Sequence, residues 1–306
     1  MSYRRVIVGT DRSPTARKAE DVGKWLAKAH DAELVLIHAS NDPAETLVAE
    51  ATNQDGDLIV VGSKGMTGTG RLLGSVPNAV SHSAKSDVLI VKTTIDQKPR
   101  QYRKVLIATD GSETAIQAAR KGVDLCRRLE AESVIFYAGH PATAPIVFQE
   151  VARELPSASY STESSSGDPA SVICDTALAG QYDLIVLGNR GMTVKNRKGS
   201  SQVPDKVSHR APCDLLLVRT VATSIESLRE GEGAVVRDEE GEKLAVFRDT
   251  SGRLHKFSAR CSHMGCIVGW NSAESTWDCP CHGSRYAAEG AVVQGPALNA
   301  LTRLEH

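Results

Sequence analysis

Cys261, His263, Cys279 and His282 form C-x-H, then fifteen residues, then C-x-x-H. Two thiols and two imidazoles at that spacing point to a transition-metal site, because sulfur and imidazole nitrogen are donors that zinc and iron favour. A zinc site with the same four donors usually groups its two cysteines and then its two histidines. Here each loop carries one Cys and one His, so the two loops are equivalent halves. Cys266 and Cys281 give each loop one further thiol.

The neighbouring strings are more specific: WDCPCHGSRY runs from Trp277 to Tyr286, and GAVVQGPA from Gly290 to Ala297. Together with the ligand spacing they resemble the Rieske family, in the branch of cytochrome bc complexes and of Rieske domains fused to flavin oxidoreductases. The resemblance implies a 2Fe-2S cluster with one iron on Cys261 and Cys279 and the other on His263 and His282. Such ligation places the potential well above that of an all-cysteine cluster. The resemblance also implies a Cys266–Cys281 disulfide, hydroxyl hydrogen bonds from Ser284 and Tyr286 to cluster or ligand sulfur, and a covering loop at Gly295 and Pro296. Those hydrogen bonds stabilise the more negative, reduced state. Because the imidazoles can titrate, the potential is expected to fall as pH rises.

At 306 residues the chain has room for two or three domains, so some 220 residues precede the cysteine-rich region. Apolar residues make up 41% and charged residues 24%, with a formal net charge of −1, which argues against a nucleic-acid partner. No apolar run approaches the roughly 20 residues of a membrane helix, and no signal segment precedes the first strand pattern. The expectation is a cytoplasmic protein without a membrane partner. Cys126, Cys174 and Cys213 sit in apolar contexts and read as core residues.

The first 220 residues repeat. YRRVIVGTD from Tyr3 returns as YRKVLIATD from Tyr102, DLIVVG from Asp57 as DLIVLG from Asp183, and VPNAVSH from Val76 as VPDKVSH from Val203. These offsets of 99, 126 and 127 mark a duplicated domain and place about 27 extra residues of the second copy near positions 140–166. Within each copy, short continuous apolar runs alternate with helical patterns, as between Ser13, a candidate N-cap followed by Pro14, and Ala29. Alternation of this kind implies a doubly wound α/β parallel sheet in each copy. The extra residues suit one helix and one edge strand that the first copy lacks.

Asp11-x-Ser13 and Asp110-x-Ser112 after the first strand, with the glycine turns at Gly62 and Gly188, resemble the universal stress protein family. That family has a Rossmann-like fold of the adenine nucleotide alpha hydrolase type. The expected domains are 1–95, a shortened stress-protein copy; 101–220, a second copy; and 225–306, an all-β Rieske domain, with residues 221–233 reading as linker. ATP-binding members carry G-x-x-G, nine residues, then Gly with Ser or Thr, which brings backbone N–H groups and a helix N-terminus to phosphate. The resemblance therefore implies ATP as ligand of Asp11, Ala39, Gly62, Gly65, Gly74 and Ser75 in copy one, where the gap is eight residues. In copy two it implies Asp110, Ala138, Gly188, Gly191 and Ser201, where Ser201 replaces the glycine. Asp11 and Asp110 are also candidate helix N-caps, and glycine turns alone are weak evidence.

His38, His82 and His209 lack a sequence pattern for triad chemistry. Lys195, Arg197 and Lys198 form a small basic loop. With no catalytic constellation, the chain reads as a one-electron carrier serving an unidentified donor or acceptor protein. The alternative is a redox-sensing regulator that couples cluster state to ATP. An oxygenase is not expected, since no residues remain for a mononuclear iron domain. Residues 88–91 and 215–218, the last strands of the two copies, are where stress proteins dimerise, and they could pair within one chain or between two.

Overall fold

A computed structural model of the protein describes residues 3–38, 42–63, 73–93, 101–189, 203–220, 225–238, 242–271, 274–279 and 281–304. Residues 1–221 and 222–306 form two compact units.

In the first unit, copy one contributes β1 (Arg5–Thr10), α1 (Pro14–His30), β2 (Glu33–His38), α2 (Pro43–Asn53), β3 (Leu58–Gly62), α3 (Ser75–Ser83) and β4 (Asp87–Val91). Copy two contributes β5 (Lys104–Ala108), α4 (Glu113–Leu129), β6 (Glu132–Ala138), α5 (Ala144–Glu154), β7 (Ser161–Ser165), α6 (Pro169–Ala179), β8 (Leu184–Gly188), α7 (Val203–Arg210) and β9 (Asp214–Val218). The α1 and α4 helices begin where Ser13 and Ser112 accept hydrogen bonds from the N–H groups of Ala16 and Ala115. Asp11 and Asp110 are therefore not the N-caps. Each stands two residues earlier and accepts the serine's own N–H at 2.9 Å, fixing the cap rather than acting as one.

All nine strands join one sheet in the order β2-β1-β3-β4-β9-β8-β5-β6-β7. Neighbours within a copy are parallel, and the copies meet where β4 and β9 pair antiparallel, Leu89 opposite Leu216. The last strands thus satisfy each other inside one chain. Two apolar layers cover the sheet, one packed under α1, α4 and α5 and the other under α2, α3, α6 and α7. Strands near the seam are buried on both faces, hence their unbroken Val, Leu and Ile runs.

The 27-residue difference is α5 and β7, a helix and an edge strand as expected. Its absence from copy one leaves β2 at the edge, so Leu36 is 46% exposed where the matching Ile135 is fully buried.

The second unit has a sheet of β10 (Gly233–Arg237), β11 (Lys243–Arg248) and β12 (Leu254–Ser258), and another of β13 (Gly269–Asn271), β14 (Thr276–Asp278), β15 (Arg285–Ala287) and β16 (Val292–Gln294). Both are antiparallel. The expected linker is shorter than its polarity suggests: Leu228 is buried with Val236 and Val246, and the Gly231 N–H donates to Arg248 O at 2.8 Å. Among the described residues, no helix is long and apolar enough to cross a membrane.

Candidate functional site

Two loops of the second unit are built alike. The pair Arg260 and Ile267 closes one, and Asp278 and Arg285 close the other, each seven residues apart. Inside the first, Cys261 N–H donates to Cys266 O at 2.7 Å and Gly265 N–H to Cys261 O at 2.8 Å. Inside the second, Cys279 N–H donates to Ser284 O at 2.7 Å and Gly283 N–H to Cys279 O at 3.1 Å. Gly265 and Gly283 both have φ of +72°, a left-handed turn that a side chain adopts only at a cost. This shared frame lets His263 and His282 sit two and three residues after their cysteines and still meet.

Within the frame Cys261 and Cys279 are buried, whereas His263 and His282 are exposed with ring centroids 4.9 Å apart. Cys266 and Cys281 form a disulfide that ties one loop to the other, with Cα atoms 6.6 Å apart. Tyr286, fully buried, lies with its hydroxyl 3.0 Å from the Cys261 sulfur and accepts the Ser262 N–H at 3.1 Å. The Ser262 hydroxyl donates to Asn299 O at 2.5 Å, joining the first loop to the C-terminal segment.

Burial works to raise the Cys261 thiol, but hydrogen bonds from Tyr286, the His263 backbone and Ser284 pull it below the ordinary range. Burial raises Cys279 instead, with the neighbouring Cys261 adding to that push. The two thiols are thus pushed in opposite directions, and a bound cation would favour the thiolate form of both. Ser284, also fully buried, accepts the Ala297 N–H at 3.2 Å. Gly295 has φ of +103°, and a Cβ there would lie 2.5 Å from the Ser284 Cα, so only glycine lets the 295–297 segment lie against the second loop. Two buried sulfurs and two exposed imidazoles on matched loops, with the Tyr286 hydroxyl at one sulfur, are donors suited to iron with mixed ligation.

The nucleotide candidates fall at the C-terminal ends of the parallel strands. Asp11 follows β1, Gly62 ends β3, and Gly74 precedes α3, whose N-terminus starts at Ser75 without a side-chain cap. Hydrogen bonds from Ser13 outweigh a desolvation push upward and hold the Asp11 carboxyl below its usual range. In copy two, Asp110 follows β5, Ala138 ends β6 and Gly188 ends β8, where a Cβ would meet Thr114 O at 3.3 Å. Ala39, Gly65, Gly191 and Ser201, with the basic loop at Lys195, Arg197 and Lys198, lie outside the described residues. His82 and His209, from the two copies, both approach Asp205, at 3.3 and 4.0 Å. A long-range pairing of this kind leaves no trace in sequence spacing.

The Rieske [2Fe-2S] domain model matches residues 219–305, and the universal stress protein family model matches 2–42, 39–92 and 101–219. A Bacillus subtilis (strain 168) protein described as a Rieske 2Fe-2S iron-sulfur protein, YhfW, is 46% identical over 80 residues, 26% of this chain and 16% of that protein. The cytochrome b6-f complex iron-sulfur subunit 1 of Nostoc sp. (strain PCC 7120) is 37% identical over 84 residues, 27% of this chain and 47% of the subunit. The chain therefore spans less than half the length of either relative. A universal stress protein structure from Archaeoglobus fulgidus DSM 4304 superposes with a TM-score of 0.55 at 18% identity, over 70% of this chain and 98% of that one, a likeness of fold. With its family model covering both α/β copies, the chain belongs to the universal stress protein family and carries a Rieske [2Fe-2S] domain after them.

Proposed function

We propose that the protein is a one-electron carrier in which Cys261 and Cys279 hold one iron of a 2Fe-2S cluster and His263 and His282 the other. When bound, the cluster supplies reversible one-electron chemistry at a relatively high potential. The observation that supports this reading is the shared frame of the two loops, each carrying one buried cysteine and one exposed histidine, with the two rings 4.9 Å apart. Tyr286 and Ser284 stabilise negative charge on the sulfur side, and the Cys266–Cys281 bond holds the loops at fixed separation. The exposed imidazoles provide the route by which an electron passes to or from a partner protein.

The α/β copies serve in this proposal as nucleotide-binding domains, with ATP at Asp11, Gly62, Gly74 and Ser75 of copy one and at the matching edge of copy two. Support comes from the uncapped N-terminus of α3, whose N–H groups are positioned for phosphate. The functional domains run 1–95, 101–220 and 225–306, and we place the protein in the cytoplasm, a compartment that suits the buried thiols of Cys126 and Cys174.

Electron paramagnetic resonance of anaerobically purified, dithionite-reduced protein tests the ligation, with a rhombic signal of mixed His and Cys ligation expected. Tyr286→Phe should lower the potential, because it removes the hydroxyl that lies 3.0 Å from the Cys261 sulfur. A zinc-loaded, silent protein would refute the assignment. Measuring the potential again with ATP separates a plain carrier, whose potential does not move, from a coupled regulator, where linkage requires that it shift.

A further inference from the structure

The seam between the two α/β copies is held by matched carboxylates. Asp87, first in β4, accepts the Arg219 N–H at 2.7 Å and the Tyr3 hydroxyl at 2.9 Å. Asp214, first in β9, accepts the Lys92 N–H at 2.8 Å and the Tyr102 hydroxyl at 2.8 Å. The repeat offsets pair these contacts residue for residue, so the surroundings should also match. They do not.

Asp214 is itself fully buried, and the positions on its side that match the Asp87 surroundings carry apolar side chains. Val22 and Cys213 are each 6% exposed, and Trp25 packs edge-on against Tyr102 at 5.3 Å. The offsets place Lys121, Ser86 and Asp124 at the corresponding positions of the other half, with Lys85 where Pro212 stands and His30 where Leu129 stands. The result is a cavity of about 390 Å³ beside Asp87, bordered by Lys85, Lys121 and Arg219.

Three cations meet two carboxylates there, and both carboxylates are engaged by the protein. Lys121 contacts both Asp87 oxygens at 2.9 Å, and Asp57 accepts the N–H groups of Arg4 and Arg5. Among the described residues, neither the Lys85 ammonium nor the Arg219 guanidinium has a carboxylate partner. In the other half, Lys92, the counterpart of Arg219, is 9% exposed and donates to Ser208 O at 3.2 Å. Among the described residues, the cavity half therefore keeps two lining cations without a carboxylate partner.

We propose that this cavity is a binding site for a small phosphate monoester, with Lys85 and Arg219 taking the phosphate and Lys121 held beside it by Asp87. Two uncommitted cations match the charge of a phosphate dianion better than that of one carboxylate, and a guanidinium fork suits its oxygens. The volume lies within the range of small-molecule sites and exceeds what a bare phosphate fills. Since Leu58 pairs with Asp87 and Gly62 with Val91, the site lies four residues, about 13 Å, from the copy-one glycine turn and is separate from it.

Calorimetric titration of the full chain at low salt with glycerol 3-phosphate, inorganic phosphate and succinate tests this. One site per chain is expected, taking glycerol 3-phosphate most tightly and succinate at least tenfold more weakly. Lys85→Ala and Arg219→Ala should each weaken phosphate-ester binding about tenfold while leaving thermal unfolding near wild type, since the Arg219 backbone N–H survives. Saturating ATP should leave the glycerol 3-phosphate isotherm unchanged. No measurable binding, succinate binding as tightly as the ester, two folded alanine variants that bind like wild type, or full competition by ATP would each overturn the proposal.

Discussion

Asp87 and Asp214 begin equivalent strands and clamp the same seam, yet one borders a polar cavity and the other a closed apolar layer. What the duplication kept is the pair of contacts that an antiparallel seam needs. An aspartate at each strand start accepts the N–H group just past the end of the facing strand, with a tyrosine hydroxyl on its second oxygen. What it let go lies one layer further out, at Lys121, Lys85, Ser86 and His30. In the two Rieske loops the conserved element is likewise a backbone hydrogen-bond frame, within which the histidines occupy unequal positions. In both regions symmetry persists where backbone donors must be satisfied and decays where side chains only fill space.

The largest test of this contrast is Lys121→Met. Asp87 has no exposed side-chain surface, and burial raises its pKa against the opposing pull of Lys121, the Arg219 N–H and Tyr3. Removing the ammonium leaves a buried carboxylate short of countercharge, so a loss of about 2–4 kcal/mol at pH 7 is expected in urea unfolding. A carboxyl with a raised folded pKa favours the protonated form in the fold. Its penalty is present above the folded pKa and relieved as pH falls through it, so the deficit should shrink from pH 7 toward pH 4.5. A deficit independent of pH would mean that Lys121 acts through packing alone.

A smaller, sharper pair is Tyr102→Phe against Tyr3→Phe. Each removes one hydroxyl from one aspartate oxygen, but after Tyr3→Phe the Asp87 Oδ2 keeps Lys121 at 2.9 Å. Tyr102 is 1% exposed and Tyr3 only half-buried, so Tyr102→Phe should cost more, about 1–3 kcal/mol, with Tyr3→Phe below it in the same denaturant assay. Equal losses would erase the distinction between the halves.

Much of this arrangement is legible in the residues. The strand runs at Leu58 and Leu184 and the position of the α5 and β7 insertion follow from apolar continuity and repeat offsets. The Cys and His spacing marks two equivalent loops. The β4 to β9 pairing does not follow, because residues 88–91 and 215–218 would be equally apolar if they met across two chains. Ser13 reads as a cap from its place before Pro14, yet Asp11 and Asp110 look like caps too, because short acceptors before a helix look alike, and the backbone path decides for Ser13 and Ser112. The cavity is a difference between positions 99 and 127 residues apart, visible only once the seam brings those positions into register.

The smallest expected effect isolates a single replacement across the seam. His30, 4% exposed, stands where copy two has Leu129, and its Nδ1 accepts the Tyr3 N–H at 3.1 Å. Burial, followed by the charges of Arg128 and the N-terminus, lowers its pKa from 6.5 to about 4. The fold favours the neutral ring, so this contribution is complete above pH 6.5 and is lost as pH falls toward 4. Between pH 7 and 4.5 that loss should amount to about 1–2 kcal/mol after allowance for solvent screening. His30→Leu gives the cavity half the residue of the closed half and removes the titration, while sacrificing one hydrogen bond worth about 1 kcal/mol. The variant should thus be slightly less stable than wild type at pH 7 and level with it or ahead at pH 4.5. Parallel stability curves across that range would show that burial of position 30, and not its charge, is all that separates the two halves there.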